Sequence, residues 1–143
     1  MKIKTRRFGE IDIDESRIIR MPKGAMLGFP THIRYVLLDR EETRPFCWFQ
    51  SVDDPDLAMI VIDPYLFQPD YKVNLNDVLR EMDWEESDRP DIVLYAVVNI
   101  SDNTPPEITA NLIGPIVINK RTYEATQMVI ADTQYSHQAN ILK

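Results

Sequence analysis

The sequence predicts a mainly β protein, a small closed antiparallel barrel or sandwich with one short helix. Short runs rich in Ile, Val, Tyr, Phe and Trp recur between Gly, Pro, Asp and Asn along the 143 residues, as is typical of strands and tight turns. Only one window has the periodicity of an amphipathic helix. Because closing a sheet removes its exposed edges, many short strands favour a barrel or closed sandwich. The length suits one domain, which we predict over residues 1–143.

The N-terminal segment predicts a hairpin followed by a short strand. Residues 2–8 and 10–14 have strand character on either side of Gly9, a residue that can take the positive φ of a tight turn. A third strand is predicted over 18–21. It ends at Pro22 because proline removes a donor from the hydrogen-bonded ladder.

The remaining strands include the predicted interior of the fold. Four strongly apolar segments should lie inside, at residues 33–38, 45–52, 57–63 and 92–100. Three more strands are predicted over 107–112, 115–119 and 126–131, with a turn over 120–125. The polar segment 132–143 is predicted to be a poorly ordered, flexible tail.

The one predicted helix covers residues 75–84. Apolar residues recur there at i, i+3, i+4 and i+7, and they are Leu75, Val78, Leu79 and Met82. This spacing places them on one face, so the helix should cover the sheet. Asn74 is the predicted N-cap.

The charge is unevenly distributed within a net charge of −7. Residues 1–38 contain eight basic and four acidic residues, residues 39–91 five and fifteen, and residues 92–143 three and four, which gives +4, −10 and −1. Nucleic-acid binding depends on Lys and Arg neutralising phosphates. The acidic middle of the chain therefore argues against direct RNA or DNA binding and favours a basic protein partner.

Residues that commonly carry catalysis or hold metals are scarce. The two histidines, His32 and His137, and the single Cys47 form no spacing that resembles a zinc site. The acidic runs 53–56 and 85–88 lack the alternating carboxylates and central glycine of an EF-hand loop, and we interpret them as a turn and a solvated helix end. We expect no metal, no cofactor and no enzymatic activity, although carboxylates that meet only in space leave catalysis open.

The cytoplasm is the predicted location. No window approaches the roughly 20 consecutive apolar residues of a membrane span. The first seven residues also lack the apolar segment of a signal peptide. We therefore expect no membrane partner.

Four motifs of prolines, glycines and polar residues occur in a fixed order. They lie at 21–29 (Pro22, Gly24, Gly28, Phe29), at 49–58 (Gln50, Ser51, Pro55, Ala58), at 110–119 (Asn111, Pro115, Asn119) and at 127–130. In order and spacing they resemble the FliW family of flagellar assembly factors over nearly the whole chain. The sequence departs from the family pattern at Gly114, where alanine is commoner, in the longer loop around 25–27, and at 123–125, which lacks the usual glycine.

The resemblance implies a function in regulation by protein binding. Members of this family bind CsrA, a small basic RNA-binding repressor, and antagonise its repression of flagellin mRNA. They also bind flagellin, which gives feedback control of flagellin synthesis. A small-ligand-binding β-barrel and a general secretion chaperone are the alternatives.

The candidate protein-binding residues lie in and beside these motifs and in the segment 69–71, which is also similar to the family pattern. They are Phe29, Gln50, Ser51, Asp53, Asp54, Asp56, Asp70, Tyr71, Asn111 and Asn119. The three aspartates between 53 and 56 suit a basic partner, while a solvated surface is the alternative reading. Phe29 and Tyr71 are aromatic and could anchor a partner or pack in the core.

Overall fold

A computed structural model of the protein describes residues 1–22, 33–131 and 134–141. The strands are β1 (Lys2–Thr5), β2 (Gly9–Asp12), β3 (Ile19–Arg20), β4 (Arg34–Asp39), β5 (Cys47–Ser51), β6 (Ala58–Ile62), β7 (Ile92–Ile100), β8 (Ile108–Ala110), β9 (Ile116–Asn119), β10 (Glu124–Gln127) and β11 (Ala139–Asn140), and the helix is α1 (Asn76–Met82). Short 3-10 turns lie at Glu15–Arg17, Glu41–Thr43, Pro64–Leu66 and Glu86–Asp91. The predicted mainly β class with one short α-helix is confirmed.

Seven strands form a ring. They are hydrogen bonded in the order β7, β6, β5, β4, β3, β10 and β9, and β9 also pairs with β7. The pairings within the ring are antiparallel except for β3 with β10, which run parallel where Arg20 meets Glu124. The sequence did not predict this parallel contact, because hydrophobic patterning carries no strand direction.

Alternate side chains of the ring strands point inward and fill it. The inner cluster of buried residues contains Ile19, Met21, Tyr35, Phe49, Leu57, Val61, Ile116, Ile118 and Ala125. At its centre Tyr35 and Phe49 stack with ring centroids 4.4 Å apart. Successive residues of a strand face opposite sides, so the neighbours of these residues are left to pack on the outside of the ring.

The N-terminal hairpin of β1 and β2 covers one side of the ring. It turns at Gly9, whose φ is +68°, as the sequence predicts, although both strands are shorter than predicted. Ile3 of the hairpin packs in a cluster with Val36, Leu38 and Trp48 from the outer faces of β4 and β5. We call this hairpin the first cover.

A second cover is formed by α1 and the chain around it. Val78, Leu79 and Met82 of the predicted apolar stripe are buried, and Leu75 packs against the same cluster. The helix is shorter than the predicted 75–84 because Asp83 adopts the left-handed conformation (φ 58°) and ends it. The N-cap is Leu75 and not the predicted Asn74, which lies one residue earlier and whose carboxamide accepts a hydrogen bond from the Asn76 amide at 2.9 Å.

The C-terminal strands differ from the prediction in position. The predicted turn over 120–125 and strand over 126–131 were placed too far along the chain, because β10 is Glu124–Gln127. Tyr123 closes the turn early: its φ is 54°, and its amide donates to the Asn119 carbonyl at 2.8 Å. The sequence gives no sign that the predicted turn ends at Tyr123, since the left-handed region favours glycine and no glycine is present there.

Residues 134–141 fall within the predicted flexible tail, but they pack against the rest of the protein. Strand β11 pairs with β8, and the Ser136 carbonyl accepts from the Leu112 amide at 2.9 Å. The Tyr135 hydroxyl accepts from the Lys72 amide at 2.8 Å. The expectation of a poorly ordered tail therefore does not fit this part of the segment.

Candidate functional site

The acidic loop, residues 52–57 between β5 and β6, brings together the candidates from Gln50 to Asp56. Gln50 and Ser51 are 1% and 0% exposed at the end of β5. The Ser51 hydroxyl accepts from the Asp53 and Asp54 amides at 3.2 and 3.0 Å. The Gln50 carboxamide donates to the Asp54 and Leu57 carbonyls at 3.3 and 3.2 Å. Both side chains therefore fix the backbone of the loop from inside and lie away from the protein surface.

The three aspartates of the loop have different surroundings. Asp53 is exposed and forms a bidentate ion pair with Arg34, with 3.1 Å between Nε and Oδ2. This carboxylate raises the pKa of Arg34. The Asp54 carboxylate accepts from the Asp56 amide at 3.0 Å. Asp56 is exposed, and among the described residues its carboxylate lies in no ion pair, so it is the loop charge most available to a basic partner.

The first cover holds the acidic loop from the side. The Arg6 amide donates to the Pro55 carbonyl at 2.9 Å. Beside this contact lies a pocket of about 400 Å³ whose walls include Arg6, Arg7, Gln50 and Asp56. The surface at this end of the barrel therefore carries both signs of charge close together.

Tyr71 is a core residue and Asp70 lies at the surface beside it. Tyr71 is 3% exposed, and its hydroxyl donates to the Leu112 carbonyl. Its ring packs edge-on against Tyr135 with centroids 4.8 Å apart, and burial raises the pKa of its hydroxyl. Of the two readings that the sequence left for Tyr71, the structure favours core packing. The Asp70 carboxylate accepts from the Gln68 carboxamide.

Asn111 shapes the turn before β9. Its side-chain oxygen accepts from the Ile113 and Gly114 amides, each at 3.0 Å. A Cβ at Gly114 would lie 3.0 Å from the Asn111 Nδ2 and 3.2 Å from the Gln127 Nε2. The turn is thus packed closely enough that the glycine fits this particular arrangement of neighbours.

Asn119 belongs to a buried polar network that the sequence did not predict. It is 0% exposed and donates to the Asp88 carboxylate at 3.1 Å. The same carboxylate accepts from the Glu85 amide at 3.0 Å and from both Nε and Nη2 of Arg121. The hydrogen bonds from Arg121, above all, hold the pKa of Asp88 well below its usual range.

The interpretation of residues 85–88 as a solvated helix end is wrong for Asp88, which is 1% exposed. A capping box joins Glu85 to Asp88 at the start of the 3-10 turn. An acidic or polar residue three positions after a cap residue is the signal that could have suggested it. The burial could not have been found this way, because it depends on residues about 30 positions away.

The interior of the ring opens into a cavity at the end where β4 stops and β5 begins. The cavity has a volume of about 360 Å³ and is lined by Leu37, Cys47, Tyr95 and Ile118, with Arg17 and Lys120 at its rim. Cys47 is half-buried, and burial raises the pKa of its thiol. We call this the mouth cavity.

Several residues predicted as binding candidates lie apart from the acidic loop or outside the described residues. Phe29 falls in the second group, and the motif residues Gly24 and Gly28 and the histidine His32 also lie outside the described residues. Asp70 and Tyr71, Asn111, and Asn119 lie at three further places. Within the described ranges, no group of three or more His, Cys, Asp or Glu side chains could hold a metal ion. In the same ranges no helix is long and apolar enough to cross a membrane.

Comparison with known proteins places the chain in a family. The sequence profile of the family described as FliW protein matches residues 2–141. The flagellar assembly factor FliW of Syntrophus aciditrophicus (strain SB) is 46% identical and that of Treponema denticola (strain ATCC 35405) 42%; the matches cover 100% and 99% of this chain and 89% and 94% of those proteins. A crystal structure of the flagellar assembly factor FliW superposes with a TM-score of 0.87 at 31% identity, covering 100% of this chain and 98% of that one. The chain therefore belongs to the FliW family of flagellar assembly factors.

Proposed function

We propose that this protein is a cytoplasmic flagellar assembly factor that acts by binding proteins and performs no catalysis. In this proposal it binds CsrA and antagonises the repression of flagellin mRNA, and it also binds flagellin. It contacts neither nucleic acid nor a membrane directly, and it uses no metal or cofactor. The family membership carries the proposal, and the preformed acidic loop supports it.

The acidic loop suits a basic partner because it carries carboxylates and because its shape is fixed before binding. The buried Gln50 and Ser51 side chains hold the backbone of the loop through four hydrogen bonds. A preorganised loop loses little conformational entropy on association. The exposed Asp56 carboxylate then contributes a charge whose main effects are on association rate and specificity.

The proposed regulation is a stoichiometric switch. When flagellin accumulates in the cytoplasm it occupies the protein, free CsrA represses flagellin translation, and secretion of flagellin reverses the sequence. The switch therefore requires that one protein binds both flagellin and CsrA. If CsrA is engaged away from its RNA-binding surface, RNA and this protein weaken each other's binding to CsrA by the same factor.

Calorimetry with purified CsrA and purified flagellin tests the proposal. We expect saturable binding of each partner, with CsrA binding weakened by added salt because exposed charges are screened. An unrelated unfolded protein is the control for the general-chaperone alternative. Absence of binding to both CsrA and flagellin would overturn the proposal.

The mouth cavity favours a second candidate function, a barrel that binds a small ligand. Its volume of about 360 Å³ lies at the lower end of ligand pockets, which occupy roughly 300–1,000 Å³. Native mass spectrometry of the protein isolated from its host tests this function. A retained small molecule supports it, and a mass equal to that of the polypeptide alone counts against it.

A further inference from the structure

Among the described residues, the first and second covers leave a strip of the outer barrel face uncovered. The floor of this strip is formed by Phe46, Trp48, Ile60, Ile100 and Ile108, which line a groove of about 440 Å³. Two cross-strand pairs, Trp48 with Ile60 and Ile100 with Ile108, supply most of this floor. Ile100 is 49% exposed, although isoleucine is usually buried. The groove is thus an apolar channel between the two covers.

Arg7 at the edge of the groove is a cation held in place by an aromatic ring. Its guanidinium lies 4.3 Å from the centroid of the Trp48 ring, a cation–π contact that fixes its position. It is exposed, and among the described residues it lies in no ion pair. Its N–H donors are therefore available to an incoming acceptor.

The other charges at the edge are partly neutralised. Arg44, which also lines the groove, is paired with Asp39 through two hydrogen bonds of 3.0 and 3.1 Å. Glu42 on the same edge is exposed. Arg7 is thus the positive charge along this channel that has no acidic partner within the described part of the chain.

The indole N–H of Trp48 is a buried donor without a hydrogen-bond partner among the described residues. The residue is 8% exposed. Leaving a buried donor unpaired costs roughly 1–3 kcal/mol, and such a group calls for an explanation. Because Nε1 itself is almost inaccessible to solvent, the Trp48 indole reports on the groove and is not itself a contact for a bound segment.

We propose that this groove is a docking surface for a polypeptide segment that presents apolar side chains together with a carboxylate. The apolar side chains cover Ile60, Ile100 and Ile108, and the carboxylate pairs with Arg7. The segment is chemically the opposite of the basic partner suited to the acidic loop. The groove is therefore a second binding surface. Its proposed role does not depend on the function proposed for the acidic loop.

A polypeptide fits the groove better than a nucleic acid does. Single-stranded nucleic acids stack their bases on exposed aromatic faces, whereas the Arg7 guanidinium already lies over the Trp48 ring. The chain also carries a net charge of −7, which repels a polyanion. One carboxylate beside apolar side chains matches the Arg7 cation beside an apolar floor.

The test uses two blocked peptides of about ten residues in which Leu alternates with Ser, except that one central position is Glu in the first (the Leu/Glu peptide) and Lys in the second (the Leu/Lys peptide). The readout is the pair of indole N–H signals in a ¹⁵N–¹H NMR spectrum. Trp48 reports on the groove, while Trp84, whose Nε1 donates to Glu124 at 3.1 Å, reports on the rest of the fold. We expect the Leu/Glu peptide to shift the Trp48 signal and leave the Trp84 signal in place.

Matched variants separate charge from apolar contact. Arg7→Glu should weaken the binding of the Leu/Glu peptide by about tenfold and reverse the preference between the two peptides. Ile100→Ser should weaken the binding of both peptides, because it removes apolar surface from the groove. Arg20→Glu and Val129→Ser make comparable changes at exposed positions outside the groove and should alter the binding of neither peptide.

Three results would each overturn the proposal. The first is an unshifted Trp48 signal at saturating Leu/Glu peptide, and the second is equal binding of both peptides with no effect of Arg7→Glu. The third is binding of a single-stranded RNA oligonucleotide at Trp48 that depends on Arg7, which would assign the groove to nucleic acid instead. An unchanged Trp84 signal in every variant shows that the fold is retained.

Discussion

The Nδ2 of Asn119 lies 3.1 Å from the Oδ2 of Asp88, joining the end of β9 to the 3-10 turn that precedes β7. Both side chains are almost completely buried, and Arg121 covers the carboxylate from the solvent side. Asn119 is a motif residue that the sequence offered as a protein contact. Its position assigns it to holding this end of the barrel together.

Asp88→Asn should reduce the acid sensitivity of the fold. The pKa of Asp88 is lowered on folding, so its contribution to stability is fully present above the ordinary value of 3.8 and is lost progressively as the pH falls from that value toward the lower folded pKa. Urea unfolding at pH 7, 5 and 3 measures the free energy of unfolding of both proteins at each pH. Wild type should lose more stability between pH 5 and 3 than the variant, which is already less stable at pH 7. Equal losses in both proteins, with Asp102→Asn as an exposed control, would contradict this account of the network.

Ser51→Ala should destabilise the protein by about 1–3 kcal/mol, because it removes the acceptor for the Asp53 and Asp54 amides. Chemical denaturation gives the free energy of unfolding directly. Ser87→Ala, at an exposed serine, is the control and should stay within about 0.5 kcal/mol of wild type. A Ser51 variant as stable as this control would show that the loop does not need the buried hydroxyl.

Asp56→Lys should weaken CsrA binding without lowering stability. The Asp56 carboxylate is exposed and lies in no ion pair within the described residues, so its replacement breaks no internal contact found there. Reversing Asp53 and Asp54 as well should weaken binding further, although Asp53→Lys also removes the ion pair with Arg34. Calorimetry at low salt compares these variants with Asp102→Lys, the same charge reversal in a different exposed loop. Equal CsrA affinities for Asp56→Lys and Asp102→Lys would remove the acidic loop from the interface.

Tyr71→Phe should lower stability and leave partner binding unchanged. The substitution removes only the hydroxyl that donates to the buried Leu112 carbonyl, at a cost of about 1 kcal/mol. Thermal unfolding and calorimetry with CsrA and flagellin measure the two effects separately. A stable variant that binds flagellin poorly would return Tyr71 to the interface.

Local patterns predicted most of the strands because their successive side chains face the ring interior and the outer covers in turn, which makes the segments apolar. In β4, Tyr35 faces the interior of the ring while Val36 packs under the first cover, and the apolar run 33–38 reflects burial on both faces. The N-terminal hairpin could be predicted from Gly9, and the helix from the apolar stripe that includes Val78 and Leu79. The end of the helix at Asp83 and the end of the turn at Tyr123 could not be predicted, because residues other than glycine take the left-handed conformation there.

The roles of the motif residues were harder to predict than the strands that carry them. Gln50 and Ser51 were predicted as protein contacts because they occur in a family motif, but their hydrogen bonds show why the loop needs these residue types. The partners of Asp88 lie 31 and 33 positions away in the chain. No local spacing carries such contacts, so the buried network and the exposed groove at Ile100 became visible only in three dimensions.

In the proposed switch, binding of CsrA by this protein restores flagellin synthesis, and flagellin reverses the effect. In vitro translation of flagellin mRNA repressed by CsrA measures it most directly. We predict that translation recovers when the protein reaches about equal amounts with CsrA, and falls again when purified flagellin is added in excess. Translation that stays repressed at a large excess of the folded protein would contradict the account.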